Sequence, residues 1–164
     1  METRYHLKNG AKPISHMSME NSKFNKMKTN KILVGGITGG VALFLLGWVI
    51  YGMLLMDYST AHYNQCMNRP MQDMIWWSMI VSNLALGFLL ATIFSWSNTT
   101  GFVAGAKTAG IIGLLLSASM DFGYYSMTTM YSNSTVIIVD IIAYTVYMSI
   151  TGAFIGWGMG MVKK

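Results

Sequence analysis

The chain has 164 residues; 53% are hydrophobic, only 10% are charged, and the formal net charge is +5. A soluble domain carries about a quarter charged residues, so this composition excludes a water-facing surface, and the length allows a single domain. One cysteine excludes a disulfide framework, a CxxC redox pair and a cysteine-based zinc site, which leaves an all-α integral membrane protein.

Residues 1–31 are polar and basic, with Arg4, Lys8, Lys12, Lys23, Lys26, Lys28 and Lys31. Such a segment cannot bury enough apolar surface to fold alone. It reads as a solvated cytoplasmic tail, with contact to anionic lipid headgroups as the sharper alternative. Met27-Lys28-Thr29-Asn30-Lys31 ahead of an apolar run looks like an ordinary bacterial N-terminus, which puts residues 1–26 in question as part of the biological chain.

Residues 32–164 read as one transmembrane domain. The first span covers about residues 32–56, all uncharged. It is far longer than the 7–15 residues of a signal-peptide core, so an uncleaved helix is expected. A polar loop follows over residues 57–73, then a second span over about 74–96. After the turn Ser97-Asn98-Thr99-Thr100 comes a third span over about 102–127, with Lys107 snorkelling at one end and Asp121 near the other. The fourth span covers about 136–161, with Asp140 in its first turns. Each is long enough to cross a hydrocarbon core of about 30 Å.

Four spans form a four-helix transmembrane bundle with both termini on one side. Seven Lys/Arg of the tail, Lys107, Lys163 and Lys164 share that side, against Arg69 on the other. The positive-inside rule then gives N-in, C-in and a location in a bacterial cytoplasmic membrane. Tyr58, Trp76, Trp77 and Tyr131 fall at the outer headgroup level, Trp96 and Trp157 at the inner one.

Lipid tails supply no hydrophobic drive between helices, so spans associate through small residues that allow close approach. The first span offers Gly36 and Gly40, the third Gly101, Gly105, Ala109, Gly113 and Ser117, and the fourth Gly152, Gly156 and Gly160. Packing within the bundle is the plain reading. A homo-oligomer or another membrane subunit is the functional alternative. The lipid bilayer itself is the one certain partner; nucleic acid is not needed to explain a topogenic positive charge.

Ionisable groups inside a membrane are functional candidates by default. Asp121 and Asp140 lie at comparable depth in the last hairpin, and Asp57 and Asp73 cap the outer ends of the first two spans. Together they suggest an outward-facing acidic cluster for a cation or protonated substrate. The plainer reading is hydrogen bonding of both carboxyls to Tyr124, Tyr125, Tyr144 or Ser/Thr. Two carboxyls brought close would share a proton rather than both ionise. Asn83, near the middle of the second span, needs an amide partner, for which an interhelical hydrogen bond is expected. His62, Cys66, Met67 and Met71 are soft donors that could suit Cu(I), but they lack ligand spacing, so no metal and no cofactor is expected. The 16 methionines scatter along the chain and read as packing filler.

Two segments resemble a broad family of small four-helix bacterial membrane proteins of unassigned function. Leu45-Leu46-Gly47-Trp48-Val49-Ile50-Tyr51-Gly52 is similar to the family's Gly-x-x-Trp-Tyr element, although Trp48 and Tyr51 are not adjacent here. Val139-Asp140-Ile141, with Tyr144, Gly152 and Gly156, is similar to its Asp-containing last helix. The resemblance covers about residues 32–161 and carries no activity. It implies that Trp48, Tyr51, Asp121 and Asp140 are the positions to test.

No predicted helix holds a histidine for haem, the first span has no acid of the kind small drug exporters use, and no nucleotide loop, HExxH or GxSxG is present. The sequence therefore points to a non-catalytic accessory or interaction subunit. A small transporter or ion-coupled permease using the acidic cluster is the alternative.

Overall fold

The computed structural model describes residues 14–67, 69 and 71–162, with side chains from residue 26 onward except those of residues 67 and 71. Arg4, Lys8, Lys12, Lys163, Lys164 and the side chains of Lys23, Met67 and Met71 lie outside the described residues.

The protein is all-helical. The described residues form five α-helices: α1 (Ile14–Val49), α2 (Met56–His62), α3 (Trp76–Trp96), α4 (Phe102–Met127) and α5 (Ser134–Met161). Among the described residues, four stretches are long and apolar enough to cross a membrane: Lys26–Leu54, Trp76–Trp96, Phe102–Met127 and Ser134–Met161. Even the shortest, at 21 residues, is about 32 Å long at 1.5 Å per residue, enough for a core of about 30 Å.

The pattern of burial inverts that of a soluble bundle. On α4 the buried residues are Gly105, Ala109, Gly110, Gly113, Ser117 and Asp121, while Ile111, Leu115 and Phe122 are exposed. Small residues face the neighbouring helix and large apolar ones face outward, as lipid requires.

Two boundaries depart from the sequence reading. α1 starts at Ile14, so residues 14–31 continue the first span as helix rather than forming a separate structureless tail. The sequence in this stretch has no proline or glycine to stop a helix already nucleated by the span. At the other end, α1 does not run to residue 56. It opens into a π-helical turn at Ile50–Leu54, closed by the Leu55 N–H donating to the Ile50 carbonyl over 2.8 Å. Such turns insert one residue and re-aim side chains; here Tyr51 meets Tyr147 edge-on, with ring centroids 6.2 Å apart. The polar loop is also more structured than its composition suggests, holding α2 and 3-10 turns at Gln65–Met67 and Met71–Asp73.

α4 packs along α5, α1 packs along α3, and the two pairs meet chiefly through α1 and α5. The α4–α5 contact is backbone on backbone. A Cβ added to Gly105 would sit 2.1 Å from the Gly152 carbonyl oxygen, and one on Gly156 would sit 2.4 Å from that of Gly101. The Gly101 N–H, at a positive φ of 95°, donates to the Gly156 carbonyl over 2.9 Å. In the α1–α3 contact, a Cβ on Gly87 would lie 2.5 Å from the Gly40 nitrogen and 2.6 Å from the Gly36 carbonyl oxygen. The small faces of Gly36, Gly40, Gly105, Gly113, Gly152 and Gly156 thus meet neighbours within this chain. Leu43, Leu90, Phe94, Met148, Ile155 and Met159 fill the core between the pairs. A second cluster, Tyr131, Val136 and Ile137 with Tyr58, Tyr63 and Ile141 around it, lies at the loop end.

Candidate acidic site under two tyrosines

The α4–α5 register builds the site. Buried positions on α4 recur every four residues from Gly105 through Ala109, Gly113 and Ser117 to Asp121. On α5 the matching series is Asp140, Tyr144, Met148, Gly152, Gly156. A Cβ on Gly152 would meet the Ala109 Cβ, and one on Gly113 would meet the Met148 Cβ. The pairs Ala109–Gly152, Gly113–Met148 and Asp121–Asp140 are symmetric about the same turn, so the glycine contacts set the register that places the two acids opposite one another. The Asp140 carboxyl stands close enough to Asp121 to act on it electrostatically.

Both carboxyls are capped from the loops. The Tyr131 hydroxyl donates to Asp121 Oδ1 over 2.9 Å, and the Tyr63 hydroxyl donates to Asp140 Oδ1 over 2.8 Å. The two rings meet edge to face at 5.3 Å. Their backbones form an isolated antiparallel bridge. On either side of it, the Asn64 N–H donates to the Met130 carbonyl at 2.9 Å and the Ser132 N–H donates to that of His62 at 3.1 Å. The segment after α2 is thereby fastened to the α4–α5 turn directly above the acids. Asn133 starts α5 as its cap, its side chain accepting from the Val136 N–H.

Asp121 is 6% exposed, and its Oδ2 has no hydrogen-bond partner among the described residues. A buried carboxyl oxygen left in that state is costly. Around the pair stand Tyr51, Tyr144, Tyr63 and Tyr131. Among the described residues, no Lys, Arg or His acts on either acid.

Burial first, then the hydrogen bond to the partner carboxyl, holds the Tyr63 and Tyr131 phenols well above the ordinary tyrosine value. The unfolded phenols ionise near pH 10, while the folded ones stay neutral. Their contribution is therefore intact below about pH 10 and is lost as pH rises beyond it. In detergent, melting temperature is expected to fall above about pH 10, and less steeply in a Tyr63→Phe/Tyr131→Phe variant. An equal alkaline fall in both proteins would contradict this role.

The other sequence candidates separate from the pair. Asp57 and Asp73 are exposed and are not among the groups acting on it, so a vestibule of four carboxylates is not assembled. The donors to the acids are not Tyr124, Tyr125 or Tyr144 but Tyr63 and Tyr131. Tyr144 instead tilts against Tyr147 at 5.6 Å. Trp48 is 56% exposed on the outer face of α1. Asn83 is satisfied mainly within its own helix, donating to the Met79 carbonyl at 2.8 Å, with a long 3.5 Å contact from the Tyr147 hydroxyl. The firm link between helices is Tyr147, which sequence reading passed over: its buried hydroxyl donates to the Leu43 carbonyl at 2.8 Å.

Among the described residues, no three His, Cys, Asp or Glu side chains gather as a metal site. His62 stacks on Tyr58 at 4.3 Å, and Cys66 is exposed.

No family model matches the chain, and no curated protein and no solved structure matches it. The likeness of the Trp48–Tyr51 and Asp140 segments to small bacterial membrane proteins therefore adds no role to the geometry.

Proposed function

We propose that this chain is a non-catalytic integral membrane protein, with four spans and both termini inside a bacterial cytoplasmic membrane, that serves as a small accessory or interaction subunit. One observation carries the reading: Asp121 and Asp140 turn inward and bind loop tyrosines. That is the work of a latch. A transport site needs access from water, and the cavity nearest in character, about 350 Å³ between α1 and α3, is lined by Leu43, Trp48, Tyr51, Trp76, Met79 and Asn83 rather than by either acid.

The helical stretch ahead of the first span supports an interaction role. α1 has 36 residues, about 54 Å at 1.5 Å per residue, which exceeds the hydrocarbon core by about 24 Å. With the termini inside, that excess is a basic helical arm on the cytoplasmic side, available to a partner. With the small faces of α1, α4 and α5 occupied inside the chain, the arm is a better handle than a glycine stripe.

The unpartnered Oδ2 of Asp121 favours a second reading, an ion-coupled permease whose acid pair takes up a proton or cation when the tyrosine cover opens. Two measurements separate these. In mild detergent at native expression, a subunit partner is expected to co-purify and to be lost when residues 14–25 are deleted. In proteoliposomes, proton and monovalent-cation flux is expected to match empty vesicles. A lone protein whose flux disappears in Asp121→Asn/Asp140→Asn would replace the first reading with the second.

A further inference from the structure

A cavity of about 280 Å³ opens at the end of the molecule opposite the tyrosine cover, between the basic part of α1 and the α3–α4 turn. Lys28 and Lys31 stand on one wall, Asn98 and Thr100 on the other, and Phe94 and Met159 line the interior. Phe94 and Met159 are fully buried and close the floor, so the partly exposed Met27 supplies the apolar surface beside a cationic and hydrogen-bonding rim. The level is fixed by Trp96, 77% exposed at the end of α3, since tryptophan favours the headgroup boundary. All four aspartates of the chain lie beyond this end, toward the other side of the spans.

We propose that this cavity binds the phosphate headgroup of one anionic phospholipid, with Lys28 and Lys31 at the phosphate, Asn98 and Thr100 as hydrogen-bonding groups, and Met27 beside the glycerol and first methylenes. A basic pocket between spans on the cytoplasmic side is the arrangement that selects anionic headgroups over neutral ones. Met27 separates a lipid from free phosphate, because inorganic phosphate has nothing to bury against it. The site is independent of the acid pair and of any partner subunit.

The test uses the full chain in nanodiscs of zwitterionic lipid doped with phosphatidylglycerol, read by native mass spectrometry as the anionic lipid retained. One such lipid is expected to stay bound. At about 1 kcal/mol per lysine near the surface, Lys28→Gln/Lys31→Gln is expected to lower retention roughly 30-fold. Lys107→Gln, an exposed lysine of α4 outside the cavity, is expected to leave it unchanged. Lys31→Glu alone is expected to lower retention more than Lys31→Gln, a comparison that survives if the double variant folds poorly. Equal retention by wild type and the double variant would overturn the proposal. So would equal loss in Lys107→Gln, no preference for the anionic over the zwitterionic lipid, or displacement by inorganic phosphate at the lipid's own concentration.

Discussion

Gly105→Leu is expected to leave little folded protein, with a loss of about 3 kcal/mol or more, read as the melting transition in detergent or as membrane abundance. The cause is local. The first carbon of any side chain at Gly105 would lie 2.1 Å from the Gly152 carbonyl oxygen and 3.1 Å from the Gly156 Cα. Those neighbours are backbone and cannot rotate away, so α4 and α5 must separate. Separation also undoes the register that sets Asp121 opposite Asp140, and with it the anchorage of Tyr63 and Tyr131. Gly123 is the control on the same helix, because a Cβ there meets nothing within 4 Å. Gly123→Ala is expected to be neutral or to stabilise by up to about 1 kcal/mol through helix propensity alone. Equal effects at the two sites would show that close backbone approach does not hold the hairpin.

Tyr131→Phe is expected to cost about 1–3 kcal/mol, the range for leaving a buried acceptor without its donor. Phenylalanine keeps the ring contact with Tyr63 and removes only the donor to Asp121. With Oδ2 already without a partner among the described residues, the variant leaves the whole buried carboxyl unsatisfied. Tyr131→Phe/Asp121→Ala is therefore expected to be no less stable than Tyr131→Phe, since alanine removes the group that the phenylalanine stranded. The coupling in this double-mutant cycle is the quantity to measure. Additive losses would mean that the hydroxyl and the carboxyl contribute separately.

Much of the fold is legible in the sequence, because crossing a bilayer demands long uncharged runs. What is not legible is where a helix changes character without changing hydropathy. The π-turn at Ile50–Leu54 sits inside an apolar run, and Tyr51 within it meets a ring distant in sequence, Tyr147. The helical stretch over residues 14–31 has the composition of a tail, yet it is carried as helix by the span it adjoins. The acid pair was half visible. The small-residue stripe of α4, continued by one more step of four from Ser117, reaches Asp121, and the series on α5 traced back from Gly152 reaches Asp140. Aligning the two stripes about one turn would have placed the acids face to face. The donors were out of reach, because Tyr63 and Tyr131 meet through a loop-to-turn bridge that no local pattern specifies.

The latch is tested most directly by amide hydrogen exchange on the full chain in nanodiscs, comparing wild type with Asp140→Ala. The amides of Asn64 and Ser132 report the bridge itself, since they donate to Met130 and His62 across it. If the acid pair fastens the loop through Tyr63 and Tyr131, both amides are protected in wild type and lose that protection in Asp140→Ala, while amides in the middle of α5 keep theirs. Unchanged protection at Asn64 and Ser132 in the variant would contradict the latch.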